Sequence, residues 1–109
     1  MRRVDEAMRE VLSQAVQDLK DPRIGFVTVT DVDTSPDLRH ASVWVSVLGD
    51  DSQRELSLAG LQSAHGLLQR AVASQLRMKN TPQLEFVYDD TAEKADRLER
   101  LIAEADADD

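Results

Sequence analysis

The chain is predicted to fold as an α+β domain, because helical and strand periodicities alternate along it. Three observations carry this. Val4, Met8, Val11, Leu12, Ala15, Val16 and Leu19 recur at spacings of three and four, with Arg9, Glu10, Gln14, Gln17 and Asp18 on the other side. That is an amphipathic helix of about four turns. Pro22 lacks an N–H and keeps Asp21 out of the α region, so the helical pattern must stop there. The residues that follow, Ile24 to Val32, are dominated by Ile, Phe, Val and Thr, which favour strands.

The remaining elements follow in order. Ser35-Pro36-Asp37 supplies a turn, and Ala41, Val43, Val45 and Val47 then alternate with Ser42, Trp44 and Ser46. The hairpin therefore buries one face, with Val27 and Val29 as partners of the valine stripe, and leaves the other at least partly wet. After Gly49, Asp51 or Ser52 can cap a helix whose apolar face begins at Leu56 and Ala59 and resumes at Leu67, Leu68, Ala71, Val72 and Leu76. Between those runs Gly60 and Gly66 mark a joint at about Ser63 to Gly66, since glycine costs a helix interior about 1 kcal/mol relative to alanine. Asn80-Thr81-Pro82 ends the second half of that pair, and Leu84, Phe86 and Tyr88 alternate with Glu85 and Val87 as a third strand. Asp89-Asp90-Thr91 caps a last helix with Ala95, Leu98, Leu101 and Ile102 on its apolar side. The predicted order is α-β-β-α-(joint)-α-β-α.

Composition narrows the chemistry. At 109 residues this is one domain with a modest core. There is no cysteine, which removes disulfides, thiolate metal sites and cysteine nucleophiles and makes a reducing cytoplasm the natural setting. The start turns acidic at Asp5 and Glu6 where a signal peptide would turn apolar, and no run approaches the roughly 18 apolar residues of a membrane span. A soluble protein is expected. The two histidines, His40 and His65, have no second histidine at helical spacing, no Gly-x-Ser-x-Gly elbow occurs, and neither Gly-x-x-x-x-Gly-Lys nor Gly-x-Gly-x-x-Gly is present. No metal, cofactor, small-molecule substrate or catalytic role is expected. Four aromatics, with Phe86 assigned to the core, also argue against a base-stacking sheet. Trp44 lies off the valine stripe and packs against a neighbouring loop or the first helix in preference to stacking a base.

The net charge of −8 is unevenly spread. Residues 80–109 hold ten acidic residues against Lys94, Arg97 and Arg100, a net of −7, so residues 1–79 are nearly neutral and can still carry a basic face. The acidic end reads as a solvated helix and a frayed tail, or as a surface that docks a basic partner.

Five stretches in this order resemble the ribosome-binding factor A family: Asp21-Pro22-Arg23-Ile24-Gly25, Val27-Thr28-Val29-Thr30, Ser35-Pro36-Asp37-Leu38, Ala41-Ser42-Val43-Trp44-Val45, and Arg77-Met78-Lys79-x-x-Pro82-x-Leu84-x-Phe86-x-x-Asp89. The resemblance implies a type II KH-like domain over residues 1–90, a mixed three-stranded sheet covered by helices on one face, followed here by an acidic helix over 91–105 and a frayed tail over 106–109. It also implies a monomeric, non-enzymatic, cytoplasmic factor that binds the immature small ribosomal subunit and its rRNA. The family is linked to late maturation, to processing at the rRNA 5′ end and to cold adaptation.

KH domains carry a Gly-x-x-Gly loop that lets RNA backbone approach closely, whereas this family has Ala-x-Gly, here Ala64-His65-Gly66. The joint is then either a kink that packs two helices or a direct rRNA contact, with His65 exposed on it. Arg2, Arg3 and Arg9 on the first helix, Lys20 and Arg23 after it, and Arg70, Arg77 and Lys79 beyond the joint complete the candidate RNA-binding set. Arginine and lysine facing phosphates would give salt-sensitive attachment whatever the sequence. The plainer alternative pairs them with Glu6, Glu10 or Asp18. Arg23 suits a salt bridge or a cap as well as a phosphate.

Overall fold

The computed structural model describes residues 2–107, with side chains placed over residues 3–105. The elements are α1 (Arg2–Gln17), β1 (Val27–Thr34), β2 (His40–Val47), α2 (Asp51–Ser63), α3 (His65–Leu76), β3 (Gln83–Tyr88) and α4 (Thr91–Ala107). The predicted order is therefore observed. β2 lies in the centre of the sheet, antiparallel to β1 and parallel to β3. A parallel return needs a long crossover. The α2–α3 pair supplies it.

The core forms between one sheet face and the helices. Met8, Leu12 and Val16 of α1, Leu61 of α2, and Leu68 and Val72 of α3 meet Val29, Val32, Ala41, Val43, Val45 and Leu84. The other face carries Asp31, Asp33, Ser42, Trp44, Ser46 and Glu85, none of them buried. Trp44 pairs in register with Asp31 and Val87 on this open face, opposite the side on which α1 sits. Packing against α1 is therefore corrected.

Several local expectations shift. α1 stops at Gln17, short of Pro22. The cap of α2 is Asp50, whose Oδ1 accepts the Gln53 N–H at 2.9 Å, one residue before the predicted pair. α2 turns Ser57, Gly60 and Leu61 inward and leaves Leu56 and Ala59 exposed, and Leu67 of α3 is exposed as well. The inward face of α2 is small because the Asp21–Gly25 segment crosses it. A Cβ on Gly60 would stand 2.5 Å from Ile24 Cγ1. Ser57 Oγ accepts the Gly25 N–H at 3.1 Å. Gly60 is thus a packing glycine and not part of the joint.

β1 also contains a bulge at Thr30, where the register steps from Val29 opposite Val45 to Asp31 opposite Trp44. The extra residue turns Val32 and Thr34 inward after Val29. α4 extends two residues past the predicted boundary at 105, to Ala107. Asp108 and Asp109 of the expected tail lie outside the described residues. The apolar side of α4 is not covered: Leu98, Leu101 and Ile102 are 59%, 57% and 54% exposed.

Candidate nucleic-acid interface

The joint is a one-residue break. Ala64 ends α2 by donating its N–H to the Gly60 and Leu61 carbonyls at 3.1 Å, and its own carbonyl accepts from Leu68 N–H at 3.0 Å, so one helix stops and the next starts on the same residue. Gly66 follows in the first turn of α3, at negative φ. A Cβ there would meet only Arg70 Nη1, at 3.9 Å. The glycine is therefore not required by backbone strain or by crowding. What it provides is an open surface beside the guanidinium of Arg70, which folds back over it.

His65 is not exposed on this surface, contrary to expectation. Its Nε2 is 2.9 Å from the Leu84 carbonyl and 3.1 Å from the Gln83 side-chain nitrogen. The ring also stands edge-on to Phe86, centroids 6.2 Å apart. One turn on, Gln69 donates to the Pro82 carbonyl at 2.6 Å and accepts the Leu84 N–H at 3.1 Å. His65 and Gln69 together close the outer edge of β3 at Leu84, a position where an edge strand would otherwise show bare N–H and C=O groups. They fix how α3, and hence Gly66 and Arg70, stand against the sheet. Gln69 escaped the sequence reading because a glutamine on a helix carries no signal of its partner.

The nominated cations separate into distinct regions. Arg70, Arg77 and Lys79 follow α3 outward along its exposed side and into the loop beyond it, and all three are solvent-exposed. Arg77 caps α3 in the left-handed region, φ 50° and ψ 41°. Arg39, absent from the predicted set, joins Lys79 across a cleft between the hairpin turn and the α3–β3 loop. Sequence distance concealed it, since forty residues separate the two. Arg3 begins α1 at the same end of the sheet, because Asp5 Oδ1 accepts the Thr34 N–H at 3.1 Å; the side chain of Arg2 lies outside the described residues. Arg9 is exposed on α1.

Lys20 and Arg23 belong to the far end. Arg23 is engaged: its Nη2 and Nε reach Asp21 at 2.6 and 3.1 Å. The side-chain bonds from Arg23 hold the Asp21 carboxyl down to about 2 and raise the guanidinium in turn. Of its sequence alternatives, the salt bridge is the one formed. The plainer reading fails elsewhere: among the described residues, no carboxylate pairs with Arg3, Arg9, Lys20, Arg39, Arg70, Arg77 or Lys79. The cations that are paired, Arg54, Lys94 and Arg100, bind Asp51, Glu93, Asp90 and Asp96 around α2 and α4. The sheet face bearing Asp31, Asp33 and Glu85 is acidic, so any polyanion is directed to the helical side.

The profile of the family described as "Ribosome-binding factor A" matches residues 1–102. The chain belongs to that family. A ribosome-binding factor A from Anaeromyxobacter sp. strain K is 53% identical over 105 residues, covering 94% of this chain and 76% of its own. The crystal structure of the family member from Thermus thermophilus superposes with a TM-score of 0.73 at 31% identity, covering 80% of this chain and 92% of that one. A homology model of the Thermus protein, fitted into the cryo-EM map of a 30S complex, superposes at 0.67 with 32% identity over 78% and 90% of the two chains. The KH-like fold is thus the family's, with the Ala-x-Gly break in place of a glycine loop. Among the described residues no helix is long and apolar enough to cross a membrane, and no cluster of metal-ligating side chains occurs.

Proposed function

We propose that this protein binds the small ribosomal subunit through rRNA, acting as a cytoplasmic, monomeric, non-enzymatic assembly factor in late maturation and in processing of the rRNA 5′ end. The observation that carries this is the run of unpaired cations, Arg70, Arg77 and Lys79, that follows α3 from the Ala64-His65-Gly66 break to the loop beyond it, on a chain whose net charge is −8. Exposed cations kept clear of so many carboxylates suit phosphates, whose counterions they release. Family membership supplies the partner, since a relative has been placed in a 30S map. The factor would add binding energy to one rRNA arrangement and so shift its population, leaving when the mature arrangement removes that difference.

Sedimentation with small subunits from a strain lacking the protein tests the proposal. Co-migration at low salt is expected, and its absence there would refute it. Replacing Arg70, Arg77 and Lys79 together with alanine is expected to flatten the dependence of log affinity on log salt by about 2 to 3, near one for each phosphate no longer neutralised.

A second reading rests on α4. Its exposed Leu98, Leu101 and Ile102 lie on a helix that also carries Asp96, Glu99 and Glu104. An apolar stripe among carboxylates suits a basic amphipathic segment of a ribosomal protein. Serine at all three apolar positions would then weaken subunit association without changing the salt slope, whereas loss of slope alone would favour the KH-like body.

A further inference from the structure

We infer that the cleft between the β1–β2 turn and the α3–β3 loop receives an unpaired RNA nucleotide, its base in the cleft and its phosphate on Arg39 and Lys79. This inference rests on the rRNA-binding reading above and assigns it a second contact point next to the break, since Gln83, which lines the cleft, has its side-chain nitrogen 3.1 Å from His65 Nε2.

The cleft has a volume of about 730 Å³, within the range of small-ligand sites. Leu38 and Met78 give it an apolar surface, and a flexible thioether adapts readily to a flat ring. Asn80, Thr81 and Gln83 add amide and hydroxyl groups that both donate and accept, which suits base edges of any identity. Arg39 and Lys79 complete the lining, and neither has a carboxylate partner among the described residues. Asp37 also lines the cleft, but its Oδ1 is occupied by Ser35 Oγ at 2.6 Å and the Arg39 N–H at 3.0 Å. The carboxylate stays ionised, and Arg39 with Lys79 outweighs it, leaving the lining with one net positive charge.

Backbone strain points to the same place. Among the described residues, the non-glycine positions with positive φ are Leu38, at 60°, and Arg77, at 50°. One lines the cleft and the other immediately precedes Met78. Such conformations cost of order 1 kcal/mol or more and collect where a ligand is held.

The test is an NMR titration of the full-length, ¹⁵N-labelled protein with a mixed-sequence single-stranded RNA hexamer and with a duplex of equal length. Expected are shifts of the Leu38, Arg39 and Thr81 backbone amides and of the Asn80 and Gln83 side-chain amides with the single strand, and weaker ones with the duplex. R39A/K79A should flatten the single-strand salt slope by about 0.7, the amount for the one phosphate the two cations share. Thr81→Trp, which fills the cleft without changing charge, should weaken single-strand binding at least fivefold; Asn80→Ala, at an exposed position, repeats the measurement should Thr81→Trp not fold. Shifts confined to Gly66 and Arg70 would overturn the cleft while leaving the rRNA reading intact. Absence of shifts at both surfaces, together with failure to sediment with subunits, would overturn both.

Discussion

Thr30 Oγ1 donates a 2.7 Å hydrogen bond to Asp89 Oδ2, joining the bulge of β1 to the end of β3 across the central strand. The same hydroxyl lies 3.3 Å from the Trp44 carbonyl, and Asp89 Oδ1 accepts the Thr91 N–H at 2.9 Å. One carboxylate thus fixes the position of the bulge and the start of α4. Tyr88 and Arg54 reinforce the junction: the Tyr88 hydroxyl donates to Glu93, and the Arg54 guanidinium lies 4.7 Å from the Tyr88 ring centroid and 3.5 Å from Glu93.

Thr30→Val keeps the shape and removes the donor. Because the acceptor is charged and partly buried, a loss of about 1 to 2 kcal/mol is expected. Urea unfolding should show a lower midpoint with an unchanged slope. The carboxyl of Asp89 is held below its ordinary range by Thr91 first and Thr30 second, so the loss should shrink as acid protonates it.

Acid should expose the Asp21–Arg23 pair. The folded carboxyl is lowered to about 2 from an ordinary 3.8, so the pair stabilises the fold above the ordinary value and that contribution is lost as pH falls from about 4 toward 2. Asp21→Asn removes this dependence. Thermal melts of the two proteins should differ at neutral pH and converge through that window; parallel curves would mean the pair contributes nothing.

His65→Ala is expected to cost about 1 kcal/mol, and Gln69→Ala somewhat more, since the first orphans the Leu84 carbonyl and the second the Leu84 N–H and Pro82 carbonyl. Hydrogen exchange should quicken at Leu84 in Gln69→Ala before it changes in β2.

The two glycines of the α2–α3 region should respond with opposite signs. Gly60→Ala forces a methyl against Ile24 and is expected to destabilise by about 1 to 3 kcal/mol. Gly66→Ala meets nothing closer than Arg70 Nη1 and should stabilise by about 0.5 to 1 kcal/mol through helix propensity. If Gly66 lets RNA backbone approach, the more stable Gly66→Ala protein will sediment less well with small subunits.

The order of elements was legible in the sequence because each signal is local. Six residues of α1 repeat at helical spacing, the valines of β2 alternate, and Pro22 and Pro82 punctuate. The bulge had a signal as well, since Val29 and Val32 are three apart, a spacing no regular strand can bury on one face. Side-chain partners had none. Nothing near His65 indicates the carbonyl of Leu84, and Arg39 and Lys79 share a cleft only because a parallel strand returns α3 beside the hairpin.

By itself, then, the sequence determined the α+β order, the one-sided sheet, the Ala64-His65-Gly66 break and the acidic C-terminal segment, all set by periodicity, backbone restriction and charge over a few neighbouring residues. Tertiary structure alone decided that Gly60 serves Ile24, that His65 faces inward, that Arg23 is bound to Asp21 while Arg70, Arg77, Lys79 and Arg39 are not, and that Leu98, Leu101 and Ile102 lie uncovered. The physical reason is range: a helix or turn is selected by interactions within about four residues, whereas whether a charge is paired or an apolar face covered depends on which distant segment the fold brings beside it.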